Sequence, residues 1–194
     1  MSLEHLIQLD QQATLWVNSL HSPFTDNVWM LLSDVRIWFP AYAFVAFMLF
    51  RQLGWKKGLV FLFALVLTVV LTDQFSNLVK NSVMRLRPCY TAFMLEGGLW
   101  CPLPRGGLYG FFSGHACNAF AFAAASSMAF RKRGYTVGVF CWAALVALSR
   151  VFMAMHYLGD ILVGALIGIA VGFAMGWLAR LAGDAWEARK GARQ

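Results

Sequence analysis

The sequence predicts an all-α protein embedded in a membrane. It reads as a helix bundle of about five spans, with an interfacial amphipathic helix at the N-terminus and an outward-facing loop carrying part of a site. Three observations lead there. Hydrophobic residues make up 60% of the 194 and charged residues only 13%, far from the averages of soluble domains. Apolar stretches of spanning length recur along the chain. Seventeen Phe and eight Trp suit lipid-facing helices with aromatic belts at the interface. The length is that of a single domain, 1–194.

Residues 3–20 place Leu3, Leu6, Ile7, Ala13, Trp16, Val17 and Leu20 at helical spacing, with Glu4, His5, Gln8 and Asp10 mostly elsewhere around the helix. That pattern predicts a helix lying in the interface, too polar to span. It has no basic region ahead of its apolar residues and no small-residue cleavage site, so no removable signal peptide is expected. The stretch "HSPFTDN" reads as a turn. Spans are then expected at Val28–Phe50, Gly58–Leu78, Tyr135–Met155 and Ile161–Leu181. A shorter one, Ala116–Phe130, reaches length if its helix starts near Ser113.

Basic residues set the orientation. Arg51, Lys56, Lys57, Arg131, Lys132, Arg133, Arg180, Arg189, Lys190 and Arg193 all fall on one side if the spans alternate, which makes that side cytoplasmic. The net charge of +7 follows from this asymmetry, and no nucleic-acid partner is expected. Arg36, Lys80, Arg85, Arg87, Arg105 and Arg150 fall on the other side, with the loop 81–112. The N-terminus and that loop are therefore expected to face out.

Within the spans, polar residues stand out. Asp34 and Arg36 interrupt the first span near its outer end and read as a water-exposed turn. Asp73, Asn77 and Lys80 share one face of the second, directed into the bundle or a wet cavity. Cys117 and Cys141 read as small core residues. Cys89 and Cys101 share the outward loop, where an oxidising compartment permits a bridge, although sequence does not say whether they meet. No Cys/His spacing suggests a metal, and no cofactor is expected.

Three segments at the outer face carry chemistry: "KNSVMRLRP" with Lys80 and Arg87, "FSGHACNAF" with Ser113, Gly114 and His115, and "SRVFMAMHYLGD" with Arg150, His156 and Asp160. Each alone has a structural explanation: snorkelling cations, a helix cap, an Arg150–Asp160 salt bridge. Together they fit one chemistry. Three cations can hold a phosphate dianion, and Ser113 with Gly114 offers a hydroxyl and N–H groups at a helix N-terminus. A carboxylate beside an imidazole makes the free ring nitrogen a nucleophile, while the second histidine protonates a leaving oxygen. Gly159 is expected to ease the chain reversal between the last two spans.

Lys-x6-Arg-Pro, Ser-Gly-His and Ser-Arg-x5-His-x3-Asp, in this order from Lys80 to Asp160, resemble the three-part signature of the type 2 phosphatidic acid phosphatase superfamily. The usual Pro-Ser-Gly-His is replaced here by Phe112-Ser113-Gly114-His115. The resemblance implies a metal-independent phosphatase working through a phosphohistidine. His156 would attack phosphorus and Asp160 orient it, and His115 would serve the leaving group and then water. Lys80, Arg87, Ser113, Gly114 and Arg150 would bind the phosphoryl oxygens. Length, span plan and amphipathic N-terminus are similar to short bacterial undecaprenyl-diphosphate phosphatases. That substrate is the leading expectation, ahead of phosphatidylglycerophosphate, phosphatidic acid and the lipid A 1-phosphate. A non-catalytic carrier of lipid phosphate would use the cations but not two histidines and an aspartate. Oligomeric state is not legible.

Overall fold

The computed structural model describes residues 2–102 and 106–191. Arg105 and Arg193 of the charge tally lie outside the described residues. The described chain is helical, with one isolated antiparallel bridge between Leu86 and Tyr109.

Helix α1 (Leu3–Ser19) starts at Ser2, whose hydroxyl accepts the amide of His5. Its amphipathicity is inverted relative to a helix on a soluble protein. Leu3, Leu6, Ile7, Leu9 and Trp16 are exposed, while Thr14 and Asn18 are buried against the rest of the chain. An apolar face turned outward suits lipid, and the polar face does the docking.

The expected first span, Val28–Phe50, is divided. Pro23 does not break a helix but opens one, α2 (Pro23–Ser33), because the first helical position needs no N–H. Ser22 and Thr25 form a capping box in front of it. Asp34 then ends α2, and a short 3-10 turn (Val35–Trp38) leads into α3 (Phe39–Val83).

Straight, the 45 residues of α3 would reach about 68 Å, twice the hydrocarbon thickness of a bilayer. Gly54 instead adopts φ 73°, and the chain doubles back. A Cβ on Gly58 would lie 3.1 Å from the Cα of Phe50, whereas residues eight apart on one straight helix stand about 12 Å apart. Leu49 on the first arm and Phe61 and Leu65 on the second bury together.

After the short α4 (Ala92–Glu96) come α5 (Gly114–Phe130), α6 (Arg133–Phe152) and α7 (Leu158–Gly191). On length and composition, three stretches are fit to cross a membrane: Val35–Val83, Arg133–Phe152 and Leu158–Ala188. The first contains the two arms of α3. At 17 residues α5 is shorter, and it is the central helix, packed against α3, α6 and α7.

Small residues set how closely α5 and α7 approach. Gly164, Gly168, Gly172 and Gly176 recur every four residues and form one stripe along α7. A Cβ on Gly164 would lie 2.6 Å from the carbonyl oxygen of Ser113, and one on Gly168 or Gly172 would run into that of Cys117 or Ala121. Backbone thus meets backbone along the stripe, as in helix pairs built on small residues. Cys89 and Cys101, whose bridge the sequence left open, meet in one apolar cluster as neighbouring thiols. Burial, with Cys101 alongside, pushes the Cys89 thiol up to about 11.

Gly168→Ala and Gly172→Ala are each expected to cost about 1–3 kcal/mol by overpacking, read as a lower Tm in detergent. Gly138→Ala on α6, where a Cβ meets nothing, should leave Tm unchanged or slightly raised.

Candidate active site

The loop between α3 and α5 is closed at its neck. Arg87 N donates to Leu108 O at 3.1 Å and Gly110 N to Arg85 O at 2.8 Å, flanking the Leu86–Tyr109 bridge. This ladder brings Arg87 beside the start of α5. The Arg87 guanidinium is buried, with Nε on the Tyr109 carbonyl at 3.2 Å and Nη1 on the Met155 sulfur at 3.1 Å. Burial lowers its pKa from the ordinary value, offset in part by neighbours that include Asp160. Lys80, in the last turn of α3, brings Nζ within 3.3 Å of the point where a Gly114 Cβ would sit. A side chain at Gly114 would therefore displace the ammonium.

Ser113 caps α5: its hydroxyl accepts the amide of Ala116 at 3.3 Å, and its own N–H donates to the Asp160 carbonyl at 3.1 Å. It is fully buried, and Gly114 and His115 next to it form the wall of a cavity. Arg150 lies in the last turn of α6 and donates to the hydroxyl of Ser33, at the end of α2.

The reversal between α6 and α7 differs from expectation. It occupies Met153–His156, and Ala154, not Gly159, takes the left-handed conformation at φ 54°. The amides of Met155 and His156 return to the Arg150 carbonyl. Gly159 lies in the first turn of α7 and serves close approach: a Cβ there would lie 2.9 Å from the Asp10 carboxylate.

His156 is 2% exposed and its Nδ1 stands 3.5 Å from Asp160 Oδ2, at the outer limit of a hydrogen bond. Asp160 has no exposed surface. Its Oδ2 accepts the Tyr157 amide at 3.0 Å, and its Oδ1 accepts Arg85 Nη1 at 2.7 Å. Burial holds the His156 imidazole down at about 4, with Arg150 and Arg87 adding to it and Asp160 opposing.

Lys80, Arg87, Gly114, His115, Arg150 and His156 line one inner cavity of about 390 Å³, together with Asp73, Asn77 and Asn118. Ser113 and Asp160 are buried behind its wall. Ser33, Arg87, His115 and Arg150 also border an outer cavity of about 630 Å³, which opens past Asn27, Asp34 and Arg36. At that rim Arg36 grips Asp34 through Nε at 3.0 Å and Nη2 at 2.7 Å, which holds the Asp34 carboxyl at about 2. Five chemistry-bearing side chains and the Gly114 backbone, from α3, α5, α6 and two connecting turns, thus converge on one space.

A family model of the PAP2 superfamily matches residues 57–183. The chain belongs to the PAP2 superfamily. It is 34% identical to a lipid A 4'-phosphatase of Bacteroides thetaiotaomicron, over 91% of this chain and 77% of the relative. A lipid A 4'-phosphatase of Porphyromonas gingivalis is 30% identical, over 88% and 72%. The fold matches the crystal structure of a transmembrane PAP2 type phosphatidylglycerolphosphate phosphatase from Bacillus subtilis with a TM-score of 0.72. That match covers 91% of this chain and 87% of the other at 18% identity, a likeness of fold alone. This PAP2 protein is a membrane-embedded lipid phosphatase, a hydrolase.

In the PAP2 signature a proline usually precedes Ser-Gly-His. Phe112 occupies that place as the largest fully buried side chain, its ring centroid 5.8 Å from that of Phe75 on α3. Two residues outside the signature reach the site and were missed in the sequence, Arg85 and Asp10. Arg85 had a signal, since it stands two residues from Arg87 beside the Leu86 bridge, and extended backbone puts such neighbours on one side. Asp10 had none beyond its place on the polar stripe of α1.

Because burial disfavours the imidazolium more than Asp160 favours it, His156 is lowered to about 4 and is neutral at neutral pH. Histidine ¹⁵N NMR of the protein in detergent should give His156 a titration midpoint near 4. A midpoint at or above the ordinary histidine value would contradict this.

Proposed function

We propose that this phosphatase removes a phosphate monoester from the disaccharide head group of a lipid A-type glycolipid, through a phosphohistidine at His156. The observation that carries the reading is the convergence of three cations and two histidines on one cavity, with a buried carboxylate behind one of the histidines.

The chemistry balances without a metal. Lys80, Arg87 and Arg150, with the α5 N-terminus at Gly114, hold the phosphoryl oxygens and offset charge that grows there, while the expected Ser113 hydroxyl is turned away as the cap of α5. With its proton on Nδ1 facing Asp160, His156 offers the Nε2 lone pair to phosphorus. The P–N bond forms as the P–O bond to the sugar breaks, and His115 gives its proton to the departing sugar oxygen. His115 then takes a proton from water, whose oxygen attacks phosphorus. The P–N bond breaks, inorganic phosphate leaves, and both histidines regain their starting states.

Substrate choice departs from the expectation of undecaprenyl diphosphate. Relatives at 34% and 30% identity are named for lipid A and its 4'-phosphate. The outer cavity of about 630 Å³, rimmed by Asn27, Asp34 and Arg36, has room and polar groups for a sugar. The outward site and the ten cations on the opposite side support a periplasmic orientation in the bacterial inner membrane.

The test is phosphate release by the purified protein in detergent with EDTA. Lipid A should be hydrolysed faster than undecaprenyl diphosphate or phosphatidylglycerophosphate, and mass spectrometry should place the loss at the 4' position. His156→Ala should lower kcat at least ~1,000-fold, the scale of losing a covalent nucleophile. Preference for undecaprenyl diphosphate would return the substrate to the original expectation, and inhibition by EDTA would refute the metal-free scheme.

A further inference from the structure

The polar stripe of α1 is spent on the reactive turn. Asp10, Thr14 and Asn18 are four residues apart, so they share one face. Each meets a backbone or side-chain group near His156. Asp10 Oδ1 accepts the Gly159 amide at 2.7 Å, and Thr14 Oγ1 accepts that of Leu158 at 3.0 Å, so two orphan donors at the start of α7 are satisfied from α1. Asn18 donates to the carbonyls of Val151 and Phe152 at the end of α6. The other oxygen of Asp10 accepts Arg85 Nη2 at 2.7 Å, and Arg85 Nη1 reaches Asp160 Oδ1, also at 2.7 Å. One guanidinium therefore forks between two carboxylates, one from α1 and one behind the histidine. Its plane also lies over the Tyr157 ring, 3.9 Å from the centroid.

We propose that Asp10 is a positioning residue for the reaction, acting through Arg85 on Asp160 and so on His156. The physical reason is competition for the oxygens of Asp160. Arg85 could bind that carboxylate with both arms of its fork, the preferred geometry of such pairs. Asp10 holds one arm, so Arg85 takes only Oδ1. Oδ2 stays with the Tyr157 amide, facing His156 Nδ1. Without Asp10 the guanidinium rotates onto Oδ2 and draws the carboxylate from the imidazole. The interfacial helix is then part of the catalytic apparatus, although 149 residues separate Asp10 from Gly159.

This inference rests on His156 as the nucleophile, and the experiment separates the two. Steady-state kinetics are measured on the full chain in detergent for Asp10→Asn, Arg85→Lys, Arg85→Gln and the Asp10→Asn/Arg85→Gln double variant, beside His156→Ala. Asparagine keeps an oxygen for the Gly159 amide but loses the charge on Arg85, and lysine keeps the charge of Arg85 but cannot fork. Asp10→Asn and Arg85→Lys should each lower kcat roughly 10–100-fold, the scale of a lost charged hydrogen bond, with KM little changed. The double variant should be no slower than Arg85→Gln alone. Glu4→Gln, on the exposed face of α1, should retain wild-type kcat. A fall in Tm with kcat intact, or losses that multiply in the double variant, would show that Asp10 only docks α1. If Asp10→Asn does not fold, full kcat in Arg85→Lys overturns the proposal by itself. An inactive His156→Ala beside a fully active Asp10→Asn rejects the relay alone, while an active His156→Ala rejects the nucleophile.

Discussion

Asp160 is a carboxylate with no exposed surface, a group that folds stably only when its charge is matched and its lone pairs are filled. Each of its contacts fastens a different part of the chain. Arg85 brings in the neck of the loop after α3, and the Tyr157 amide brings in the turn that holds His156. The backbone carbonyl of the same residue accepts Ser113 N–H and ties down the start of α5. The three signature segments, far apart in sequence, are therefore joined through one residue. Satisfying a buried charge and assembling a reactive site are here the same event.

The close fit of α5 against α7 makes that joint rigid. Glycines at every fourth position of α7 let the two backbones touch, and the contacts begin at Gly164, against the Ser113 carbonyl. The stripe therefore sets the height of Ser113 and His115 relative to Asp160 and His156. A site that needs its groups held to a fraction of an ångström gains from helices that meet backbone to backbone, where no side chain can repack. The outer cavity is bounded differently, by the end of α2 and the exposed Asp34–Arg36 pair.

How much was legible in the sequence depended on whether the signal was local. Helices α5 and α6 and the start of α7 were readable within a few residues, because apolar length and a Ser cap are local features, whereas α7 runs on from the expected Leu181 to Gly191. The expected span Val28–Phe50 failed because hydropathy sees apolar content and not direction: it merged α2 with the first arm of α3 across the Asp34 break. Pro23 was taken for a turn residue although Pro at the first helical position is equally a start signal. Gly159 was assigned to the reversal because glycine usually makes turns, whereas Ala154 makes it and Gly159 admits the Asp10 carboxylate. The roles of Asp10 and Arg85 were not read because they are pairings over long sequence distance: Arg85 carried only its spacing from Arg87, and nothing local singles out Asp10.

From the residues by themselves come the membrane setting, the helical class and the cast of cations and histidines, since each follows from composition, apolar length or a short fixed spacing. The tertiary structure decided which of them meet. It placed Lys80, Arg87, Gly114, His115, Arg150 and His156 around one cavity, withdrew Ser113 and Asp160 behind its wall, and turned the polar face of α1 inward onto the reactive turn. The physical reason is that burial and partnership are properties of packed surfaces. A charge bears its desolvation only beside a partner that the fold brings from elsewhere in the chain.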